Sequence, residues 1–302
     1  MIKVKYILGV DGGGTKTEAV AYDLEGNILS RGVSGFGNVL INNEKALDNI
    51  NEAINNCTKA LNINECIHVY LGLAGVSAGD GKEKTTKYIV ETFNLKTTVV
   101  NDAELALSAL LKGKDGLLTI AGTGSICIGK YNNKKVRVGG WGHILGDQGS
   151  GYYIAIEALK QILLEKDIGY ERSNFTQEIL NELGFSDEFD IINFVYNSDK
   201  GKIASIVPII VELSNKSNVI AKDILKDAGR KLGIMTLRAI NKIKTNDTVN
   251  IGIMGSILIN IDLVKQSFIE TLKEGIKNFK IYDEKVSPTI GAYYEVVKYI
   301  KL

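Results

Sequence analysis

Cysteine, histidine, proline and tryptophan are all scarce in this chain of 302 residues. It has three cysteines, two histidines, two prolines and one tryptophan. Cys57, Cys66 and Cys127 form no CxxC pair, and an odd count fits no disulfide framework. Adding His68 and His143 still does not give the close ligand spacing of a zinc or iron–sulfur site. Reduced thiols in or near a core are expected instead. The two prolines exclude a Pro-rich linker. Charge of one sign is lacking too. Lys+Arg is 36 and Asp+Glu is 35, a net charge of +1, so no basic excess follows a nucleic-acid backbone or an anionic membrane. Long apolar runs are absent. Residues 7–10 are too few for a signal-peptide core. No uncharged stretch is longer than 116–129, which is broken by glycines and falls short of the ~18 residues a membrane span needs. A soluble, cytoplasmic protein with no nucleic-acid or membrane partner is expected.

What is present is an ordinary globular mixture, 45% apolar and 24% charged, rich in glycine at 32 residues. At about 150 residues per domain the length predicts two domains. The chain opens with a strand at 6–10, the string DGGGTKT, a strand at 18–23, a turn at 24–27 and a strand at 28–31. A helix at 44–61 follows, its apolar residues recurring at three and four. Strand 67–73, helix 82–93, strand 97–100 and a further helix continue the alternation, which argues an α/β domain. The opening then recurs as strand 117–121, GTGS, strand 126–131, Asn132-Asn133 and strand 135–138. The offset from Gly12 to Gly122 is 110 residues, which reads as a duplicated domain, since solenoid periods are about 20–50. Beyond residue 149 the pattern predicts helices at 152–166, 175–183, 203–213, 219–244 and 263–279. Strands are expected at 249–254 and 280–282. A final helix is expected at 288–302, with Pro288 in its first turn.

Three segments carry chemistry. In DGGGTKT, Gly12, Gly13 and Gly14 leave backbone N–H groups to face an anion. Thr15 adds a hydroxyl and Lys16 a positive charge. Asp11 is placed to hold a magnesium ion through water. A plain hairpin needs fewer glycines. GTGS holds the equivalent place in the repeat. Two such turns gripping one nucleoside triphosphate across a cleft suit phosphoryl transfer by positioning. The GxxxxGK[ST] and GxGxxG signatures are missing. Asn101-Asp102 reads either as a helix cap or as a general base at a strand end. The segment 139–151, GGWGHILGDQGSG, has the Gly density and lone aromatic of a ligand surface. His143 within it belongs to no GxSxG hydrolase.

Together these strings resemble the sugar kinase and actin superfamily. More narrowly they resemble the BadF/BadG/BcrA/BcrD ATPase family and its N-acetylglucosamine kinase branch. The resemblance runs along the chain in order, and the GGWGH…GD…GS string is its specific part. It implies an α/β fold of two ribonuclease-H-like domains with a central ATP/sugar cleft. Residues 1–115 plus 288–302 would form one, and 116–287, with helical insertions, the other. It implies that Gly12, Gly13, Gly14, Thr15, Thr123 and Gly124 bind the ATP phosphates, and that Asp102 is the general base for a sugar 6-hydroxyl. Asn38, Ser125, Gly140, Trp141, Gly142 and Asp147 would line the amino-sugar pocket. Gly255, Ser256 and Ser214 would lie near adenine. Ile126 departs from some relatives, which carry a polar residue after GTGS. The implied activity is Mg-ATP-dependent phosphorylation of N-acetylglucosamine and/or N-acetylmuramic acid by a homodimer. The alternatives weighed are a broad-specificity hexokinase, an iron–sulfur activator ATPase, a sugar-sensing regulator and an actin-like polymer protein. No cysteine here flanks a Gly-rich turn as the activator would require.

Overall fold

The computed structural model describes residues 4–77, 79–245, 247–298 and 300. The chain divides into two compact units, Met1–Gly116 with Tyr282–Leu302, and Leu117–Ile281.

In the first unit β1 (Tyr6–Gly12), β2 (Thr17–Asp23) and β3 (Ile28–Ser34) form an antiparallel meander. Then follow α1 (Asn43–Thr58), β4 (Cys66–Leu73), α2 (Gly81–Phe93), β5 (Thr97–Asn101) and α3 (Asp102–Leu110). β4 runs parallel to β1, and β5 parallel to β4, giving the order β3-β2-β1-β4-β5. From Tyr6 to Val10, β1 carries no charged residue and is buried, because both sheet faces are covered. Tyr6, Leu8 and Val10 join Ile50 and Ile54 of α1 in one cluster, while Ile7 joins Leu105 of α3 in another. That alternation is the two-residue period of a strand.

The second unit repeats the plan with β6 (Gly116–Ala121), β7 (Ser125–Tyr131) and β8 (Lys134–Gly139). Helices α4 (Gly151–Asp167), α5 (Asn174–Leu183), α6 (Phe189–Tyr196), α7 (Lys200–Ala204), α8 (Val207–Asn215) and α9 (Val219–Ile243) intervene before β9 (Val249–Met254). α10 (Ser256–Asn260), α11 (Asp262–Gly275) and β10 (Phe279–Tyr282) complete it. The order β10-β9-β6-β7-β8 is the first sheet's order with each strand replaced by its counterpart. The repeat seen in the sequence is therefore a repeat of sheet topology.

α12 (Ile290–Val297) returns to the first unit, where Ala292 and Val296 cluster with Leu105. Glycine makes this contact close. A Cβ on Gly72 of β4 would lie 2.4 Å from the Leu105 Cβ, and one on Gly291 would lie 2.3 Å from the Leu105 carbonyl. α3 is thus wedged between β4 and α12, and its first residue, Asp102, is held firmly. A buried hydrogen bond between the Tyr22 and Thr289 hydroxyls (2.8 Å) and one from Ser108 Oγ to Glu295 Oε1 (2.7 Å) fasten the same region.

Several elements differ from the sequence reading. The single helix expected at 203–213 is two, α7 and α8. Pro208 sits in the first turn of α8, where a missing N–H is harmless but a preceding helix cannot run through. α6 and α10 were not expected. α11 stops at Gly275 instead of reaching 279. Of the expected final helix, 290–297 is helical, and 299, 301 and 302 lie outside the described residues.

Candidate functional site

The first unit gathers its candidate residues at one sheet edge. Asp11 pairs in register with Gly72, and Gly72 with Val100; Gly12 pairs with Leu73, and Leu73 with Asn101. Three parallel strands therefore end level, and α/β sheets present their sites at that carboxyl edge. Asn101 caps α3, its Oδ1 accepting from the backbone N–H of Ala103 at 3.1 Å. Asp102 is the first helical residue, and its Oδ1 accepts from the same N–H at 2.8 Å. Burial raises the Asp102 carboxyl above its ordinary value, and the Ala103 N–H opposes the shift. Asp11 is pushed up to about 6, first by burial and then by the charges of Asp102 and Glu18, with Lys16 opposing.

The Gly turn between β1 and β2 has two kinds of glycine. A Cβ on Gly12 would lie 2.5 Å from Leu73 Cδ2, so packing demands glycine there. Gly13 and Gly14 have neither that constraint nor a positive φ. A Cβ on Gly13 would meet only the Lys16 carbonyl, at 3.8 Å, and one on Gly14 would meet nothing within 4 Å. The fold leaves open space in front of both. The Gly13 N–H is spent on the Lys16 carbonyl at 3.0 Å, so it is not free for an anion as the sequence implied. The amides of Gly14 and Thr15 have no partner among the described residues. Lys16 is exposed and loosely paired with Glu18 at 3.7 Å. Asn38 joins this edge. Gly37 donates to the Gly13 carbonyl at 2.9 Å, and Asn38 Oδ1 accepts from Leu40 N–H at 3.0 Å.

In the second unit, the GTGS turn sits on the first turn of α4. The Gly122 and Thr123 carbonyls accept from Gly151 and Tyr152 at 2.7 and 3.3 Å. Gly122 also faces open space. Ser125 and Asp147 brace this turn. Asp147 is buried, and its Oδ1 accepts from Ser125 N–H at 3.3 Å, while Ser125 Oγ donates to the Gln148 carbonyl at 2.8 Å. A Cβ on Gly124 would fall 2.8 Å from Asp147 Oδ2. Gly139, Gly140 and Gly142 have φ of 76°, 71° and 86°, so here the backbone itself requires glycine. Trp141 is 64% exposed, and Ile144 and Leu145 are 83% and 82% exposed. The loop offers its apolar side chains outward.

Beside the GTGS turn lies a cavity of about 550 Å³, within the range of small-molecule sites. Gly122, Thr123 and Ser256 stand on its wall with the apolar Val207, Pro208, Val211 and Ile257. Glu212, Asn215 and Asn260 add polar groups. Ser214 does not line it; it is buried about 100° around α8 from Asn215. Gly255 is fixed by packing at the end of β9, where a Cβ would lie 2.2 Å from the Ala121 carbonyl. The sequence reading missed Val211, Glu212 and Asn215. Positions 208, 211, 212 and 215 share one helical face, but the sequence does not say that this face meets the cavity.

Comparison with known proteins accords with this architecture. Residues 8–295 match the BadF/BadG/BcrA/BcrD ATPase family. The chain is 32% identical over 300 residues to an N-acetylmuramic acid/N-acetylglucosamine kinase of Clostridium acetobutylicum, covering 96% of this chain and 97% of that protein. It is 29% identical over 307 residues to an N-acetyl-D-glucosamine kinase of Dictyostelium discoideum, covering 94% and 95%. A solved structure of a candidate N-acetylglucosamine kinase from Chromobacterium violaceum superposes with a TM-score of 0.72 at 19% identity, over 97% and 99% of the two chains. The fold is that of the actin-like ATPases.

Proposed function

The chain belongs to the BadF/BadG/BcrA/BcrD ATPase family, and from that premise we propose that it transfers the terminal phosphoryl group of ATP to the 6-hydroxyl of an N-acetylated amino sugar. Asp102 carries the reading. Asn101 already caps α3, so the Asp102 carboxylate is left over from the needs of the helix, at a sheet edge beside a Gly turn and Asp11. Asp102 takes the proton of the 6-hydroxyl as that oxygen attacks phosphorus, the general-base role. Gly14, Thr15, Gly122 and Thr123 hold phosphates with backbone groups. The cavity beside Gly122 accepts the nucleoside, with Ser256 on its wall. Asp11 fits a magnesium ion. It is a hard oxygen donor, partly buried, and its carboxyl is raised by that burial and by the charges of Asp102 and Glu18, which a bound cation would offset. When bound, that ion would neutralise charge on the phosphates.

The sugar falls to Asn38 and to the segment running from Gly140 through Trp141 and Gly142. Backbone amides and carbonyls there satisfy the acetamido group, and the indole covers its methyl. Ser125 supports this reading, because its carbonyl accepts from Gly140 N–H at 3.0 Å, while its bonds to Asp147 and Gln148 tie the later part of 139–151 to the GTGS turn. ADP release measured over N-acetylglucosamine, N-acetylmuramic acid, N-acetylmannosamine, glucosamine and glucose tests it. N-acetylglucosamine should exceed glucose by at least about 10²-fold in kcat/KM, since a site built for a polar group rejects the analogue lacking it. Equal efficiency would leave a broad-specificity hexokinase, and sugar-independent ADP release would favour the activator ATPase.

A cytoplasmic setting fits the cysteines. Cys57, Cys66 and Cys127 are buried free thiols, and burial pushes Cys57 and Cys127 up to about 11 and Cys66 to about 12, which keeps them protonated and unreactive. A homodimer is part of the same reading. Phe189, Ile192 and Tyr196 of α6 are exposed apolar side chains on one face, and light scattering of the purified protein tests whether they are covered.

A further inference from the structure

Arg137 on β8 is held in place without being neutralised. Its Nε donates to the Gly139 carbonyl at 3.3 Å and its Nη2 to the Gly140 carbonyl at 2.6 Å. The guanidinium carbon lies 4.8 Å from the centre of the Trp141 ring. The backbone carbonyl of Arg137 accepts from Lys242 Nζ at 3.0 Å, which adds a second cation nearby. Among the described residues no carboxylate pairs with Arg137. Arg31, Arg172 and Arg230 by contrast pair with Glu18, Glu188 and Asp227. A guanidinium has five N–H donors. The two carbonyls use two, and the others face solvent with the exposed side chain. A planar fork already fixed in orientation loses little freedom when it binds a carboxylate, and its charge-assisted bonds are stronger than neutral ones.

The location of this fork identifies the anion. It grips Gly139, Gly140 and Trp141, which open the segment assigned above to the amino sugar. N-acetylmuramic acid is N-acetylglucosamine with a lactyl ether on its 3-oxygen, and so carries one carboxylate close to the ring. We infer that Arg137 binds the carboxylate of an acidic amino sugar, so that N-acetylmuramic acid is a substrate preferred over its uncharged derivatives. This rests on the amino-sugar kinase reading.

The experiment measures kcat/KM for N-acetylglucosamine, N-acetylmuramic acid and the methyl ester of N-acetylmuramic acid, in the wild type and in Arg137→Met. The ester keeps the bulk of the lactyl group and removes its charge. In the wild type the acid should exceed the ester by at least about 10-fold, the scale of one hydrogen-bonded charge pair. In Arg137→Met the two should become equal, and Arg137→Lys should restore part of the difference. If Arg137 only braces the loop, the variant lowers all three substrates in proportion and the acid-to-ester ratio is unchanged; that result overturns the inference. Equal use of acid and ester by the wild type overturns it without any variant. Phosphorylation of N-acetylglucosamine with none of N-acetylmuramic acid also overturns it while the kinase reading stands. Failure on every amino sugar removes both.

Discussion

Asn101 and Asp102 each aim a side-chain oxygen at the backbone N–H of Ala103, from 3.1 and 2.8 Å. One donor needs one acceptor, so the capping function is duplicated at this helix start. Asp102→Asn therefore leaves α3 capped, and Tm should barely move. The amide cannot take up a hydroxyl proton, and turnover should fall by about 10²-fold or more. Steady-state rates and a thermal melt of the same sample check this. A variant with near-normal turnover rejects Asp102 as the base.

The glycines of the two turns separate folding from ligand binding. Gly14→Val and Gly122→Val introduce side chains into space that holds no protein atom within 4 Å of the new Cβ. Stability should change by less than about 0.5 kcal/mol, as at other unconstrained surface sites. The KM for ATP should rise by at least about 10-fold because the backbone can no longer approach a phosphate closely. Gly12→Val is the contrast. It clashes with Leu73 and should lower Tm clearly. Normal ATP kinetics in both Gly14→Val and Gly122→Val would remove the two turns from the nucleotide site.

Asp11 makes stability depend on pH in a stated direction. Its carboxyl is raised from 3.8 to about 6 in the folded chain. Between those values the folded state keeps a proton that the unfolded chain has released. The associated stability is full below 3.8 and is lost as pH rises through about 6. Asp11→Asn removes the buried charge. Without magnesium, the variant should be more stable than wild type at pH 7.5 by roughly 2 kcal/mol, with a much smaller gap at pH 4.5. Urea unfolding at the two pH values reads the difference. A gap that is the same at both, or reversed, contradicts the burial of this charge.

The fold was readable where the local pattern and the tertiary environment agree. The two strand–Gly turn–strand units announce themselves because each turn is marked by glycines and each strand by a buried apolar run, and the sheets follow that duplication. α6 and α10 were not readable, because helices of eight and five residues are too short to show a period. At the site, the string Asn101-Asp102 left cap and base indistinguishable until the geometry showed Asn101 sufficient for the cap. Ser214 and Asn215 differ by one residue, hence by about 100° around α8. Without a known helix phase, nothing in the sequence chose between the core face and the cavity face. Arg137 was invisible for a different reason. Its partners are carbonyls and a ring, which leave no charge pattern in the sequence.

Filling the second unit's cavity tests whether a nucleoside occupies it. Val211 lines the cavity from α8 and is only partly buried, so a larger side chain there projects into empty volume instead of into the core. Val211→Trp should leave Tm near the wild-type value, because overpacking costs stability only where atoms already fill the space. The KM for ATP should rise by at least about 10-fold, as the indole takes the room of a purine whose burial supplies much of the affinity. The KM for the amino sugar should change little, because the residues assigned to the sugar lie on other elements. A variant that instead loses sugar affinity and keeps its ATP affinity would show that this cavity belongs to the sugar.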